Sequence, residues 1–213
     1  MLPGRHGSEL FDELELADLP NGGEWDGSIA YLDRDGVINV GSPNYVNSVD
    51  ELEVLPKAGK SIGELRRNGF RVCVVTNQSP IGRGLWNHHR LATIHEELQR
   101  VLLLEDEDAI LDLILYSPHV PWAGSDYRKP EPGMLFASRQ LLESEGSISA
   151  FDFDARFDEA RSAMVGDRRS DLQAGKRYGV RSFYSPPHLG ISAVLNRVLD
   201  SEDTGDDVSR APE

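Results

Sequence analysis

Ile29-Ala30-Tyr31-Leu32-Asp33-Arg34-Asp35-Gly36-Val37-Ile38-Asn39 is the stretch on which the reading of the fold turns. The apolar run Ile29 to Leu32 has the look of a buried parallel strand, and it stops on two carboxylates and a glycine where an exposed loop should begin. In extended chain alternate side chains point the same way, so Asp33 and Asp35 are expected to share one small site while Arg34 faces elsewhere. Two carboxylates held that close repel unless a cation lies between them. Mg²⁺ suits the place, since it prefers oxygen ligands and commonly bridges a carboxylate to a phosphate. Asp33 could then attack phosphorus, and Asp35 could protonate the leaving oxygen and later activate water. Gly36 permits the sharp turn. Taken alone the pattern is weak, because Asp-x-Asp-Gly also occurs in calcium loops and ordinary turns.

Composition narrows the classes. The 213 residues, 23.6 kDa in mass, suffice for one well-buried domain with tails. Twenty-two Lys and Arg against 36 Asp and Glu give a formal charge of -14, which disfavours nucleic acid and favours small-molecule chemistry. The one cysteine, Cys73, lies in the apolar run Val72 to Val75 and reads as an inert core residue of a reducing compartment. No apolar run approaches the roughly 18 residues of a membrane span, and no secretory leader is visible, so a cytoplasmic protein without a membrane partner is expected.

Outward from the first strand, residues 1–26 read as an acidic N-terminal extension outside the core, with at most a turn or two of amphipathic helix before Pro20-Asn21-Gly22-Gly23. Residues 27–199 read as the folded domain. A helix follows Pro56 with Ala58, Ile62 and Leu65 on its inner face and ends at Gly69. Phe70 to Thr76 is a second strand, and Asn87 caps a helix running to about Leu104. Leu111 to Tyr116 is a third strand, and a proline-studded loop leads to a helix over Gly133 to Glu143. Gly146 to Glu159 reads as a surface insertion anchored by its phenylalanines. Ala163 to Asp167 and Val180 to Tyr184 are strands, and Ser170 to Tyr178 and Ile191 to Leu199 are helices. Residues 200–213 read as an acidic, disordered tail. The alternation predicts a doubly wound α/β fold with a parallel sheet, whose ligands bind beyond the carboxyl ends of the strands.

Chemistry gathers at those ends. Thr76 offers a hydroxyl and Asn77 an N–H to a phosphate oxygen, and Lys129 supplies positive charge to nucleophile and transition state. Asp167 completes a Mg²⁺ shell with Asp33 and the Asp35 carbonyl, and Asp171 is placed to hold a water of that shell. Singly, Thr76 would pass as a strand-end cap and Lys129 as a solvated loop charge. Together, at successive strand ends, they form a phosphoryl-transfer set.

Asp33-x-Asp35-Gly36, Thr76-Asn77, Lys129-Pro130 and Gly166-Asp167-x-x-x-Asp171 resemble the four motifs of the haloacid dehalogenase superfamily of aspartate-nucleophile phosphatases. The resemblance implies Asp33 as nucleophile, Asp35 as acid and base, Thr76 and Lys129 as phosphate and nucleophile partners, and Asp33, Asp35, Asp167 and Asp171 around Mg²⁺. Finer features, among them Asn44-Tyr45-Val46, Arg83-Gly84 and Arg128-Lys129-Pro130-x-Pro132-Gly133-Met134, resemble the heptose bisphosphate phosphatases and histidinol-phosphate phosphatases, with little or no cap domain. In that subfamily a loop holds structural zinc, whereas the matching positions here, Ser117-Pro118-His119 and Ser125-Asp126-Tyr127, keep only His119, so zinc is not expected. Prolines, Trp122 and Tyr127 are expected to brace the loop instead. Asn77, Arg83 and Arg128 are the candidate substrate-binding residues, for a sugar bisphosphate. Alternatives are histidinol phosphate, the 3'-phosphate of a polynucleotide, and a non-catalytic phosphate-binding scaffold. A monomer is expected.

Overall fold

The computed structural model describes residues 1–213. Six strands form one sheet: β1 (Gly4–Arg5), β2 (Ile29–Leu32), β3 (Arg71–Asn77), β4 (Leu113–Ser117), β5 (Ala163–Gly166) and β6 (Arg181–Tyr184), in the order β1-β4-β3-β2-β5-β6. All neighbours pair in parallel except β1, which runs antiparallel to β4. From β2 the chain winds first to one side, through β3 and β4, and then to the other, through β5 and β6. The carboxyl end of β2 therefore lies at the switch point where doubly wound sheets open a crevice.

Both faces of the sheet are covered, which is why the strands read as unbroken apolar runs. Ala30, Leu32, Val72 and Val74 point into a core with Ile62 and Leu65 of α1 (Ala58–Arg67), Leu98 and Leu102 of α3 (His88–Glu105) and Val198 of α6 (Leu195–Leu199). Ile29, Tyr31, Cys73 and Val75 point the other way, onto Met134, Leu135 and Leu141 of α4 (Gly133–Glu143) and Ala174 of α5 (Arg169–Tyr178). The side-chain oxygen of Asn87 accepts from the Arg90 N–H at 3.0 Å, the N-cap read from sequence. Pro80 sits in the first turn of a short helix, α2 (Ser79–Gly82), where its missing N–H costs nothing. The stretch 191–199, read as one helix, is a 3₁₀ turn over Gly190–Ala193 followed by α6. No helix is long and apolar enough to cross a membrane.

Two expectations about the ends of the chain are corrected. Residues 1–26 are not outside the core and form no α-helix: β1 pairs with β4, Leu14 and Leu19 are buried, and the Arg5 guanidinium donates to the Asp12 and Glu13 carbonyls at 2.6 and 3.1 Å. Residues 200–213 are ordered, because their acids meet fixed cations. Asp203 and Asp206 pair with Arg197 at 2.7 and 3.0 Å, Ala211 is buried, and the Arg169 N–H donates to the Pro212 carbonyl at 2.7 Å. The 146–159 segment is anchored by rings: Phe151 stacks within 5.1 Å of Phe11 and 6.0 Å of Tyr127.

Candidate active site

β2 delivers Asp33 to the rim still in register, its N–H bonded to the Val165 carbonyl at 2.9 Å. The Arg34 carbonyl then collects the N–H groups of Ile38 and Asn39 at 2.8 and 3.1 Å, closing a tight turn. Gly36 has φ +83°, and a Cβ there would collide with the Asp167 carboxylate. The glycine is thus needed for its backbone and for the room it leaves the neighbouring acid.

Lys129 is buried against two of these acids. Its Nζ lies 2.9 Å from Asp33 Oδ1 and 2.7 Å from Asp171 Oδ1. The Arg34 N–H also donates to Asp33 Oδ1, at 2.7 Å. Lys129 comes from the loop between β4 and α4, and Asn77 at the end of β3 fixes that loop: its Nδ2 donates to the Lys129 carbonyl at 3.0 Å and its Oδ1 accepts the Lys129 N–H at 3.1 Å. The Asn77 side chain therefore docks the lysine loop, a role the sequence did not suggest.

Arg34 departs from expectation. It is fully buried and turns back on Asp35, with Nη2 at 2.8 and 3.0 Å from the two carboxylate oxygens and Nη1 at 3.3 Å from His95 Nε2. Asn39 Nδ2 and Gln78 Nε2 donate to the same carboxylate at 2.9 and 3.1 Å, and Gln78 also donates to Thr76 Oγ1 at 3.0 Å. Arg34, His95, Asn39 and Gln78 were all missed as site residues. Only Gln78, two positions beyond Thr76, carried a local signal.

The charges are unevenly settled. Burial, offset by Lys129 and reinforced by Asp171 and Asp35, pushes Asp33 up to about 6. Burial, then the charges of Asp33 and Asp171, push Asp167 up to about 7. Burial also pushes Asp35 upward, but the Arg34 charge and the hydrogen bonds from Asn39, Arg34 and Gln78 together outweigh it and hold the group low. Lys129 is lowered by burial and raised further by Asp171 and Asp33, so it stays charged.

Oxygen atoms of Asp33, Asp167 and Asp171 lie within 4.8 Å of one another, and Asp167 Oδ1 is buried with no hydrogen-bond partner. Crowded, largely buried carboxylates with an orphaned oxygen fit a hard divalent cation. Asp171, expected to hold a water of the metal shell, directs Oδ1 at Lys129 and accepts the Arg168 N–H on Oδ2 at 3.0 Å.

A cavity of about 750 Å³ opens over these groups and is lined also by Tyr45, Arg83, Arg128 and Arg168. Arg83 stacks 5.0 Å from the Trp122 ring, and Arg128 donates to the His119 carbonyl at 2.9 Å. Burial and the neighbouring Arg83 charge hold Arg128 below its ordinary value. Both guanidinium groups face the cavity with no carboxylate paired to either, an arrangement suited to an anion. Arg168, 64 % exposed, was not foreseen. Trp122, expected to pack the loop down, is 73 % exposed, whereas Tyr127 is buried as expected.

The chain belongs to the haloacid dehalogenase-like hydrolases, whose family model matches residues 6–179. It is a phosphatase of that family. Its relatives include the D-glycero-beta-D-manno-heptose-1,7-bisphosphate 7-phosphatase of Pseudomonas aeruginosa, 38% identical over 150 residues that span 70% of this chain and 75% of the relative. The enzyme of the same name from Escherichia coli K12 is 38% identical over 151 residues, 68% of this chain and 71% of the relative. Among solved structures, the D,D-heptose 1,7-bisphosphate phosphatase of B. bronchiseptica, complexed with magnesium and phosphate, superposes with a TM-score of 0.67 at 29% identity, covering 81% of this chain and 98% of that one. A HAD-like phosphatase of Mesorhizobium loti gives 0.65 at 28% identity, covering 96% and 94%.

Proposed function

We propose that the chain is a Mg²⁺-dependent phosphatase acting on a sugar bisphosphate, with D-glycero-beta-D-manno-heptose 1,7-bisphosphate as the first candidate, through an aspartyl-phosphate on Asp33. The observation that carries the substrate reading is the lining of the cavity. Nucleophile and lysine line it together with the Arg83 and Arg128 pair, which is suited to a second phosphate that is not hydrolysed. The names of the relatives support the same substrate class.

Asp33, Asp167 and the Asp35 carbonyl would hold Mg²⁺, which when bound offsets the charge of the phosphate and of the carboxylates beside it. Lys129 and the Arg34 N–H orient the Asp33 carboxylate for attack on phosphorus. Thr76 accepts from Gln78, which leaves its O–H to donate to a phosphate oxygen. The bond from phosphorus to the sugar oxygen breaks as that from phosphorus to Asp33 forms, and Asp35 gives its proton to the departing oxygen. An arriving phosphate dianion adds negative charge beside Asp35 and so opposes the hold of Arg34, bringing the carboxyl toward its protonated form. Asp35 then takes a proton from the water that attacks phosphorus, releasing phosphate and restoring Asp33.

A substrate panel tests this reading: heptose 1,7-bisphosphate, histidinol phosphate, a 3'-phosphorylated oligonucleotide and p-nitrophenyl phosphate, each with Mg²⁺ and with EDTA. The expected result is a kcat/KM at least about tenfold higher for the bisphosphate, abolished by EDTA. A preference for either other natural phosphate would overturn the substrate, and full activity in EDTA would overturn the metal.

A further inference from the structure

Arg128 has to be aimed from a loop. Between β4 and α4 the only regular element is a 3₁₀ turn over Pro121–Ala123, so the bearing of the guanidinium depends on what ties the loop down. His119 ties it at both of its ends. Its carbonyl accepts from Arg128 Nη1 at 2.9 Å, and its ring Nε2 lies 2.9 Å from the Leu2 carbonyl. A carbonyl can only accept, so Nε2 carries the proton and donates. The Ser125 hydroxyl donates to the Met1 carbonyl at 3.4 Å.

The segment on which His119 leans is itself fixed. Gly4 and Arg5 lie opposite Tyr116 and Leu115 in the sheet, the His6 N–H donates to the Ile114 carbonyl at 3.0 Å, and Arg5 clips the following turn. A Cβ on Gly4 would collide with the Tyr116 ring. That ring has little freedom to yield, since its hydroxyl is bonded to His88 Nδ1 at 2.8 Å and its face packs near His95.

We propose that the N-terminal segment Leu2–Arg5, which ends in β1, is a specificity-determining brace: it holds His119, and through it Arg128, on the phosphate that is not hydrolysed. The proposal rests on the reading of Arg128 given above. His119 is a positioning residue and touches no substrate atom. Lys129, one residue beyond Arg128, has its own anchor in Asn77, so loosening the brace should separate affinity for the second phosphate from catalysis.

The test uses four variants of the full chain, Gly4→Leu, His119→Ala, the double variant of these two and His119→Gln, with heptose 1,7-bisphosphate and p-nitrophenyl phosphate as substrates. Gly4→Leu and His119→Ala should each raise KM for the bisphosphate about tenfold or more, with kcat and the p-nitrophenyl phosphate constants within about twofold. The double variant should be no worse than either single one, and His119→Gln, whose amide N–H can still reach the Leu2 carbonyl, should recover most of the loss. Equal losses on both substrates, no loss on either, or no recovery by glutamine would overturn the brace. Hydrogen exchange separates this outcome from the substrate assignment, because it needs no substrate. In Gly4→Leu the amides of 119–128 should exchange faster while β2 and β3 keep their protection. Unchanged exchange in that loop would sink the brace even if the bisphosphate proves to be the substrate, and faster exchange would sustain the bracing of the loop, though not its role for a second phosphate, if the panel selects another.

Discussion

Stripping divalent cations should let Asp33 and Asp167 draw thermal stability down as pH rises from about 4 to about 8. His6 and His95, held below the ordinary imidazole range by burial, act in the opposite sense up to about pH 6.5, so the difference between wild type and Asp167→Asn isolates the acids. In the metal-free fold Asp33 titrates at about 6 and Asp167 at about 7, against 3.8 for an ordinary aspartate. A carboxyl that binds its proton more tightly when folded stabilises the fold fully below its unfolded value, and that stability is lost as pH climbs through the folded one. At about 1.4 kcal/mol for each pH unit of difference, Asp33 accounts for about 3 kcal/mol and Asp167 for about 4. The Asp33 charge is part of what raises Asp167, so the pair contributes less than the sum, about 4 to 5 kcal/mol. For a chain of this size the share of the two acids corresponds to about 10 °C in Tm or somewhat more. Scanning fluorimetry in EDTA across the range, on the wild type and on Asp167→Asn, reads it directly. The variant has lost one of the two groups and should fall by about half as much. Added Mg²⁺ should raise the wild-type Tm far more at pH 7.5 than at pH 4.5. Parallel curves for wild type and variant, or equal stabilisation by Mg²⁺ at both pH values, would refute the picture of crowded, raised carboxylates.

Replacing Arg34 with Met removes the cation that holds Asp35 low, so the acidic limb of the kcat–pH profile should move to higher pH and kcat should fall; an unmoved profile would show that Arg34 does not set Asp35. Arg197→Ala releases Asp203 and Asp206 and should cost about 1 to 2 kcal/mol, open residues 200–213 to limited proteolysis and leave kcat within about twofold. A tail that stays resistant in that variant would argue that Ala211 and the Pro212 carbonyl hold it without Arg197.

What could be read in advance follows the range of the interaction concerned. The strands β2 to β6 are buried on both faces, and a one-dimensional pattern of apolar runs between helical periods records that directly. The acids, Thr76 and Lys129 were legible because doubly wound folds put chemistry at strand ends, a rule that needs only chain order. A strand of two residues has no periodicity, so β1 escaped, and with it the hydrogen bond by which the preceding Leu2 meets the loop that carries Arg128. The acidic tail looked like solvated chain because its partner cation, Arg197, belongs to a helix whose outer face alone gives no reason to expect it. Alternation along a strand placed Arg34 away from Asp35, but the turn closed by its own carbonyl brings a long side chain back to its neighbour. The expectation for Trp122 failed for a different reason: aromatic bulk predicts burial on average, whereas here the ring serves as a platform for Arg83 at the surface.

The central claim is that Asp33 carries the phosphoryl group during turnover. Acid quenching of the enzyme in the steady state with its best substrate, followed by peptide mapping by mass spectrometry, should find a phosphoryl group on the peptide containing Ile29 to Asn39, acid-stable and lost in mild base as an acyl phosphate is. Borohydride reduction of the same sample should convert residue 33 to homoserine. Asp33→Asn should lack both signals and lose turnover by several orders of magnitude, roughly the loss on removing a nucleophile elsewhere. An unlabelled Asp33 in an enzyme that turns over, or near-normal turnover by Asp33→Asn, would contradict the account at its root.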